Sequence, residues 1–397
     1  MAIAGILLLR FPANSVTMKT QTASKVNSII FILAVWLLSR LIIVVAMQVI
    51  APLVFTTPVH TEWVVGNRPH DFMPGYIPQS SWELFSHWDG KWYRSIVTEG
   101  YEYLKDGQQH SIAFFPLFPL MVRAVMVSGL PFEIAGTLVS NLALLGAVSV
   151  LYVWMVESDR THTQARWVAA VLVFCPSSLF GTVIYTESLF LLVTIAALRA
   201  FDRHQYGWVA FWGALASATR VFGICLIPAF LFLAWKERRP TIAYVAALAV
   251  SSGLLLFCFY SAVLFGDALA FMHTQQGWEH ESWLELVKKA LTLDQPSLIA
   301  GFTVLGCGYV LWHQRTHIST AAAAYGVCSL ALLLVAGKTS GISTSSLPRY
   351  LYGIVPFSVG LGLWLARFPR VGYLVMALFA VRLFLDAMHF AAWDFVG

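Results

Sequence analysis

The sequence predicts an all-α protein that crosses a membrane several times. Of its 397 residues, 58% are hydrophobic and only 11% are charged, whereas soluble domains carry roughly 25% charged residues. Long apolar runs alternate with short polar joints, and about 20 apolar residues are enough to cross a bilayer as a helix. A chain of this composition cannot cover a surface that faces water, so lipid must be its main solvent.

Nine apolar segments are predicted as membrane spans. They lie at about residues 27–50, 133–156, 166–184, 187–201, 240–265, 296–312, 318–337, 350–366 and 370–390. The stretch 207–236 is interrupted at Arg220 and predicts two shorter helices that meet there. Pro116 and Pro119 near the start of 112–130 predict a short or re-entrant segment, because proline breaks a helix and leaves carbonyl groups unpaired.

The domain organisation follows from these segments. Residues 1–26 are predicted to be an N-terminal tail, and residues 27–397 a single integral membrane domain with a long external loop at 51–132. Met18 opens a basic tail followed by a span, which is a more typical start. Residues 1–17 are therefore interpreted as either a disordered extension or a mis-assigned start.

The basic joints predict the orientation of the chain, since cytoplasmic loops are enriched in Lys and Arg. The most basic joints are "KERRP" at 236–240, "HQRTH" at 313–317 and "RFPR" at 367–370. If these joints are cytoplasmic, four polar segments share the opposite face: 51–132, 185–188, 266–295 and 337–350. The sequence shows no internal repeat of the kind found in many transporters.

The densest polar patch, "SHWDGKWYRSIVTEGY" at 86–101, lies in the long external loop. Asp89 stands there between Trp88 and Trp92. An acid among aromatic rings suits a general base, and aromatic faces suit the apolar faces of sugars. The alternative is an interfacial helix that carries a solvated acid, because tryptophan is a common anchor at the membrane boundary.

Other charged residues lie at breaks or ends of the predicted spans. Arg220 is a candidate phosphate contact, or alternatively a helix-end arginine that pairs with Glu187. Glu187 begins a span, where the helix dipole alone favours an acid. Arg349 precedes a span and either binds a ligand or extends to the membrane surface. His273, in "GDALAFMHTQQGW", is interpreted as a polar loop residue rather than a ligand contact.

Two blocks together resemble those of a known family, the PIG-V-like mannosyltransferases related to GPI mannosyltransferase 2. These blocks are "HWDGKWYRSIVTEGY" and "AFFPLFPLM". "YTESLF", "SATRVFG", "GDALAFMHTQQGW" and "SLPRYL" follow in the family's order, so the resemblance covers about residues 30–390. Phe118 stands where the family pattern has tyrosine. The chain is interpreted as a bacterial member, so the family's GPI acceptor does not carry over.

The resemblance implies a GT-C type glycosyltransferase with about nine full spans plus re-entrant or half helices. Such an enzyme takes a hexose, here mannose, from a polyprenyl-phosphate carrier on the non-cytoplasmic face. An acid in the first external loop acts as catalytic base, and Asp89 matches that acid by position. The chemistry agrees, because a lipid phosphate is a good leaving group. One carboxylate then suffices for transfer with inversion, whereas glycosidases use two.

The remaining site residues are predicted by the same argument. Cations must hold the phosphate as charge develops, and the candidates are Arg220, Arg349, Lys91 and Arg94. The predicted substrate contacts are His87, Trp88, Trp92, Tyr93, Glu187, Tyr350 and Trp278. No cofactor is predicted and metal dependence is left open. The spacing of His60, Glu62, His70 and Asp71 matches no standard metal site.

The expected partners are a polyprenyl-phosphate sugar donor, a glycan or glycolipid acceptor, and membrane lipid. No basic run is long enough to indicate a nucleic-acid partner. The protein is expected in the cell membrane with its site on the periplasmic or extracytoplasmic face, or in the endoplasmic reticulum lumen of a eukaryote. The alternatives are a glycolipid transporter or flippase, and a scaffolding membrane subunit.

Overall fold

The computed structural model describes residues 14–57, 76–277, 288, 291, 295–339, 346–394 and 396. Within these residues the chain forms helices and no strand, which confirms the all-α prediction. In chain order the main α-helices are α1 (Asn14–Val45), α2 (Asp89–Thr98), α3 (Leu117–Met126), α4 (Phe132–Glu157), α5 (His162–Phe174), α6 (Glu187–Asp202), α7 (Tyr206–Thr219), α8 (Leu226–Lys236), α9 (Thr241–Ala249), α10 (Ser252–Phe265), α11 (Gln295–Gln314), α12 (Thr320–Thr339), α13 (Leu347–Tyr352), α14 (Pro356–Arg367) and α15 (Pro369–Ala391). Helix α1 therefore includes half of the predicted N-terminal tail.

The apolar helices confirm a polytopic membrane protein. In the described part of the chain, four helical stretches are long and apolar enough to cross a membrane: Val26–Val54, Phe132–Glu157, Thr241–Phe265 and Pro369–Ala391. Shorter apolar helices occupy Leu117–Met126, Val221–Lys236 and Thr320–Val335. The fold thus combines long spans with shorter helices.

Two predicted interruptions are confirmed. Helix α7 ends at Thr219, and Arg220 is extended, with φ −154° and ψ 148°. A 3₁₀ turn over Val221–Cys225 follows it. Helix α3 is only ten residues long and begins directly after Pro116. It is too short to span a bilayer, which needs about 20 residues.

Two predicted spans differ from the structure at proline residues. The segment 166–184 is helical only to Phe174, and Pro176 then begins a 3₁₀ turn. The segment 350–366 is divided by a break just before Pro356. Proline cannot donate a backbone hydrogen bond and its ring clashes with the preceding helical turn, so a new helix starts at or near it.

Packing of these helices brings together the two regions interrupted at Pro176 and just before Pro356. Helix α4 packs along α6, and α14 packs on α5. The α14–α5 contact is close, because a Cβ on Gly362 would lie 2.5 Å from the Cα of Val168. Small residues allow such approaches in membrane proteins, where dispersion contacts rather than hydrophobicity join helices. The broken chain after α5 and the short helix α13 thus meet around the first turn of α6.

Candidate functional site

A tight turn places Asp89 at the start of α2. The N–H of Gly90 donates to the carbonyl of His87 at 3.1 Å. Trp88, between them, has φ 54° and ψ −119°. These angles belong to the first central position of a type II′ turn, which glycine usually occupies. The strained backbone at Trp88 turns the chain so that Asp89 is the first residue of the helix.

The segment before α6 lies beside this turn. The N–H of Ile184 donates to the carbonyl of Phe85 at 2.9 Å. The N–H of Asp89 donates to the hydroxyl of Tyr185 at 3.2 Å. Glu187 then begins α6, as the sequence predicted. These two bonds hold the predicted base and the predicted helix-start acid next to each other.

Two arginines join the two acids into one charged cluster. Arg349 Nη1 donates to Asp89 Oδ2 at 2.7 Å, and its Nε lies 3.4 Å from Glu187 Oε1. Arg220 Nη1 pairs with the same Glu187 oxygen and lies 3.3 Å from the hydroxyl of Thr186. Two positive and two negative side chains therefore balance in charge. Arg220 therefore pairs with Glu187, which is the alternative to a phosphate contact that its position in the sequence left open. A contact between Arg220 and a phosphate stays a prediction.

The four members of the cluster differ in accessibility. The Asp89 side chain is 23% exposed, whereas that of Glu187 is 1% exposed. Those of Arg349 and Arg220 are 9% and 14% exposed. Asp89 is therefore the carboxylate that a substrate can reach, and Glu187 is a buried counter-charge that holds both arginines.

The ring of Tyr350 lies near both arginines of the cluster. Its ring centroid lies 5.3 Å from Cζ of Arg220 and 5.4 Å from Cζ of Arg349. Phe222, in the turn after Arg220, stacks on Tyr350 with ring centroids 5.8 Å apart. Arginine is attracted to the face of an aromatic ring, so this stack orients both guanidinium groups.

The other two predicted phosphate contacts lie outside this cluster. Lys91 Nζ is 4.2 Å from the ring centroid of Trp393. Arg94 pairs with Glu133 at the start of α4, and its side chain is 42% exposed. Both residues are on α2 with Asp89, but neither is in the Asp89–Arg349–Glu187–Arg220 chain of ion pairs. Their contact with a donor phosphate stays a prediction.

The predicted aromatic contacts vary in exposure. His87 is 3% exposed and Tyr93 is 4% exposed. Tyr93 packs edge-on against Phe118, with ring centroids 5.1 Å apart. This contact between rings does not need the hydroxyl of the tyrosine that the family pattern has in place of Phe118. Trp92 is half-buried and stacks on Phe114 at 5.9 Å. The predicted substrate contacts of these residues remain predictions.

Several other predicted residues lie away from the cluster or outside the described residues. Trp278 lies outside them, as do His60, Glu62, His70 and Asp71. His273 ends a short helix, Ala270–His273, rather than lying in a loop. Its Nδ1 is 2.7 Å from Asp267 Oδ2, and its side chain is 54% exposed. Across the described ranges, no three His, Cys, Asp or Glu side chains are grouped so as to hold a metal.

Sequence reasoning missed three residues that shape the site. Tyr185 lies in the "YTES" motif, but nothing in that motif shows that its hydroxyl meets Asp89. Trp393 lies near the C-terminal end and packs on His87 and Trp88. Arg40 lies within the first span and binds the chain between α5 and α6. An arginine inside an apolar span is a functional or structural signal that could have been used.

The helices and the cluster define an integral membrane protein with a carboxylate–guanidinium cluster that joins the start of α2, the start of α6, the break after α7 and the short helix α13. Within that class, the profile of a family described as Mannosyltransferase (PIG-V) matches residues 30–276, and the chain belongs to this family. Arg349 and Trp393 lie beyond the matched residues, so the structure adds them to the site independently.

Curated relatives come from animals. The chain is 25% identical over 187 residues to GPI mannosyltransferase 2 of Drosophila pseudoobscura pseudoobscura. This aligned region covers 42% of the present chain and 40% of the fly protein. The chain is 29% identical over 152 residues to GPI alpha-1,6-mannosyltransferase 2 of Mus musculus, which covers 35% and 29%. The human protein of the same name is 29% identical over 151 residues, with the same coverage. The matched region thus spans less than half of each relative.

Proposed function

We propose that the protein transfers a hexose, mannose, from a polyprenyl-phosphate donor to a hydroxyl group of a lipid-linked or glycan acceptor. Transfer takes place on the non-cytoplasmic face and inverts the anomeric carbon. The observation that carries the proposal is the position of Asp89: it is the more exposed acid of the cluster and is oriented by Arg349. Membership of the mannosyltransferase family supports the sugar and the reaction class.

The proposed step uses one base and two cations. The acceptor hydroxyl loses its proton to Asp89 as its oxygen attacks the anomeric carbon and forms the new glycosidic bond. The bond from that carbon to the phosphate oxygen breaks, and its electron pair leaves with the polyprenyl phosphate. Arg349 and Arg220 stabilise the phosphate as this negative charge develops.

The arrangement of charges supports this assignment of roles. A guanidinium has five N–H donors in a fixed plane, so Arg349 can keep its bond to Asp89 while it also meets a phosphate oxygen. Glu187 is almost fully buried and contacts both arginines. It therefore fixes the two cations near the reachable carboxylate before any substrate arrives.

Purified protein, mixed with polyprenyl-phosphate-mannose and a panel of lipid-linked glycan acceptors, tests the proposal. We expect a mannosylated product and free polyprenyl phosphate in equal amounts, with the product's anomeric configuration opposite to the donor's. Absence of transfer, together with movement of a labelled glycolipid across proteoliposomes, would instead establish the flippase alternative. If neither transfer nor flipping is observed, the scaffolding alternative remains.

The face of the membrane is tested separately with single cysteines in a background that lacks the five native ones. Lys105 and Lys236 are both exposed, and they lie in segments predicted on opposite faces. We expect an impermeant thiol reagent added outside intact cells to label Lys105→Cys and to leave Lys236→Cys unlabelled. The reverse pattern would contradict the non-cytoplasmic location of the site.

A further inference from the structure

The C-terminal end of α15 closes in a motif that normally needs glycine. The N–H of Trp393 donates to the carbonyl of Phe390 at 3.2 Å, and the N–H of Asp394 donates to the carbonyl of His389 at 2.9 Å. These two bonds form a Schellman cap. Trp393 occupies the left-handed position of that cap with φ 62°. A large aromatic residue at positive φ is uncommon and is strained.

A second tryptophan with strained backbone faces it. Trp88 occupies the glycine-type position of the turn before Asp89. The two indole rings lie 5.5 Å apart with an interplanar angle of 56°. Backbone strain of this kind costs about 1–3 kcal/mol per residue and persists only where surrounding contacts fix it. Two strained tryptophans in contact indicate that each one's side chain is needed where it lies.

The side chain of His87 links the cap to the turn. Its imidazole stacks on the Trp393 ring with centroids 4.1 Å apart and planes at 23°. Its Nδ1 lies 3.1 Å from the carbonyl of Phe390, and because a carbonyl can only accept, Nδ1–H is the donor. Phe390 therefore accepts bonds from both His87 and Trp393. The cap and the turn form one unit.

Trp393 also contacts the first turn of α2. The ammonium group of Lys91 lies 4.2 Å from the centre of its ring, which is within the range of a cation–π attraction. Trp393 thus contacts the two residues before Asp89 and the residue two positions after it. The ring is 4% exposed, so it is not a surface for the substrate.

We propose that Trp393 is a positioning residue, which holds the His87–Gly90 turn and thereby the Asp89 carboxylate in its working orientation. This inference rests on the proposed function, because it assumes that Asp89 is the base. It adds to the site a residue from the far end of the chain, 117 positions beyond the matched family region that ends at residue 276.

Three variants separate the ring from the backbone. Trp393→Phe keeps an aromatic face for His87 and Lys91, so we expect turnover close to that of the unchanged protein. Trp393→Gly suits the left-handed backbone and keeps the cap but removes the ring. Trp393→Leu keeps apolar volume without an aromatic face. A 1 Å misplacement of reacting groups can cost 10²-fold. We therefore expect turnover at saturating donor to fall about 10–100-fold in Trp393→Gly and in Trp393→Leu, with little change in donor KM.

The control is a buried tryptophan at the other end of the bundle. Trp154 is 1% exposed and donates to Asp202 at the end of α6, whereas the site lies at the start of that helix. Trp154→Leu should lower the thermal midpoint of the detergent-purified protein without lowering turnover of the folded fraction. A loss of stability alone in Trp393→Leu and Trp393→Gly, as in this control, would overturn the inference.

A double variant distinguishes positioning from packing. If Trp393 acts through Asp89, Trp393→Leu should cause no further loss of turnover in protein that already carries Asp89→Asn. Multiplied losses would overturn the inference. The proposed function fails separately: near-normal turnover of Asp89→Asn contradicts the assignment of the base. An inactive Asp89→Asn beside a fully active Trp393→Gly contradicts only the role of Trp393.

Discussion

Arg40 and Arg349 are both buried in the helical bundle, with 4% and 7% of the whole residue exposed, but they bind different kinds of group. Among the residues that the structure describes, Arg40 donates to neutral oxygens alone. Its five bonds go to the carbonyls of Val173 and Ser178 and to the hydroxyls of Ser39, Ser178 and Thr182. Arg349 instead binds two carboxylates, one of which is partly exposed.

The difference separates a structural arginine from a functional one. An arginine has five N–H donors, and Arg40 uses three of them on Ser178 and Thr182, in the chain that follows α5. The other two go to Val173, near the end of α5, and to Ser39 on α1. The chain after α5 leaves its helix after Phe174 inside the bundle, where unpaired carbonyl groups are costly. Arg40 supplies the donors that the helix would have supplied. Arg349 has an acid partner that a substrate can reach, so its contacts can be shared with a ligand.

The largest expected effect concerns that reachable acid. Asp89→Asn keeps the shape of the side chain and its contact with Arg349 but removes the ability to accept a proton. General-base catalysis contributes about 10²–10⁴-fold, so turnover should fall by about 10²–10⁴-fold while donor binding persists. The measurement is turnover at saturating donor. Donor binding is measured separately with labelled polyprenyl-phosphate-mannose.

Glu187→Gln is the matched control for this prediction, since Glu187 contacts both arginines but is 1% exposed. We expect it to weaken donor binding and folding more than it lowers turnover of folded protein. The opposite ranking, with Glu187→Gln inactive and Asp89→Asn active, would move the base to Glu187.

The arginines of the site should show the next largest effect. Arg349→Lys keeps the charge but loses the planar two-point contact that arginine makes with carboxylate or phosphate. Removing one preorganised donor from a developing charge costs about 10²–10³-fold, so Arg349→Ala should lose about that much turnover and the lysine variant less. Arg220 should follow the same order. Full turnover in both alanine variants would mean that these arginines only join helices.

These contrasts show which parts of the site the sequence could predict. The break at Arg220 and the helix start at Glu187 are local patterns, and the structure places them as predicted. The contact between Arg349 and Asp89 joins residues 260 positions apart, so no local pattern could reveal it. The role of Arg40 depends on where α5 ends, and the prediction of one span over 166–184 overlooked Pro176, which marks that end in the sequence.

Arg40 is expected to affect stability more than turnover. Arg40→Met keeps the length of an unbranched side chain but leaves buried carbonyl and hydroxyl oxygens without donors, at about 1–3 kcal/mol for each one that stays unsatisfied. The thermal midpoint should drop clearly, and the folded fraction should keep most of its turnover. Arg40→Lys, with three donors, should be intermediate. A variant that folds normally but is inactive would contradict the distinction between Arg40 and Arg349.

The smallest expected effect concerns a buried group that stays neutral. His87 lies in the loop before α2, outside the membrane-spanning helices, and burial lowers its pKa to about 3, opposed by the bond to Phe390 and assisted by the charge of Lys91. In the unfolded chain the pKa is about 6.5. Between these two values the unfolded state binds the extra proton, so the free energy of unfolding should fall as pH decreases from about 6.5 toward 3.

His87→Gln tests this pH dependence because it keeps a side-chain donor for the carbonyl of Phe390 but cannot be protonated. At pH 7.5 the variant should be less stable than the unchanged protein, since it loses the stack on Trp393. Lowering the pH to 5 should destabilise the unchanged protein by about 2 kcal/mol more than the variant, so the two thermal midpoints should approach each other. A constant gap between the midpoints over this pH range would show that His87 is not held neutral in the folded protein.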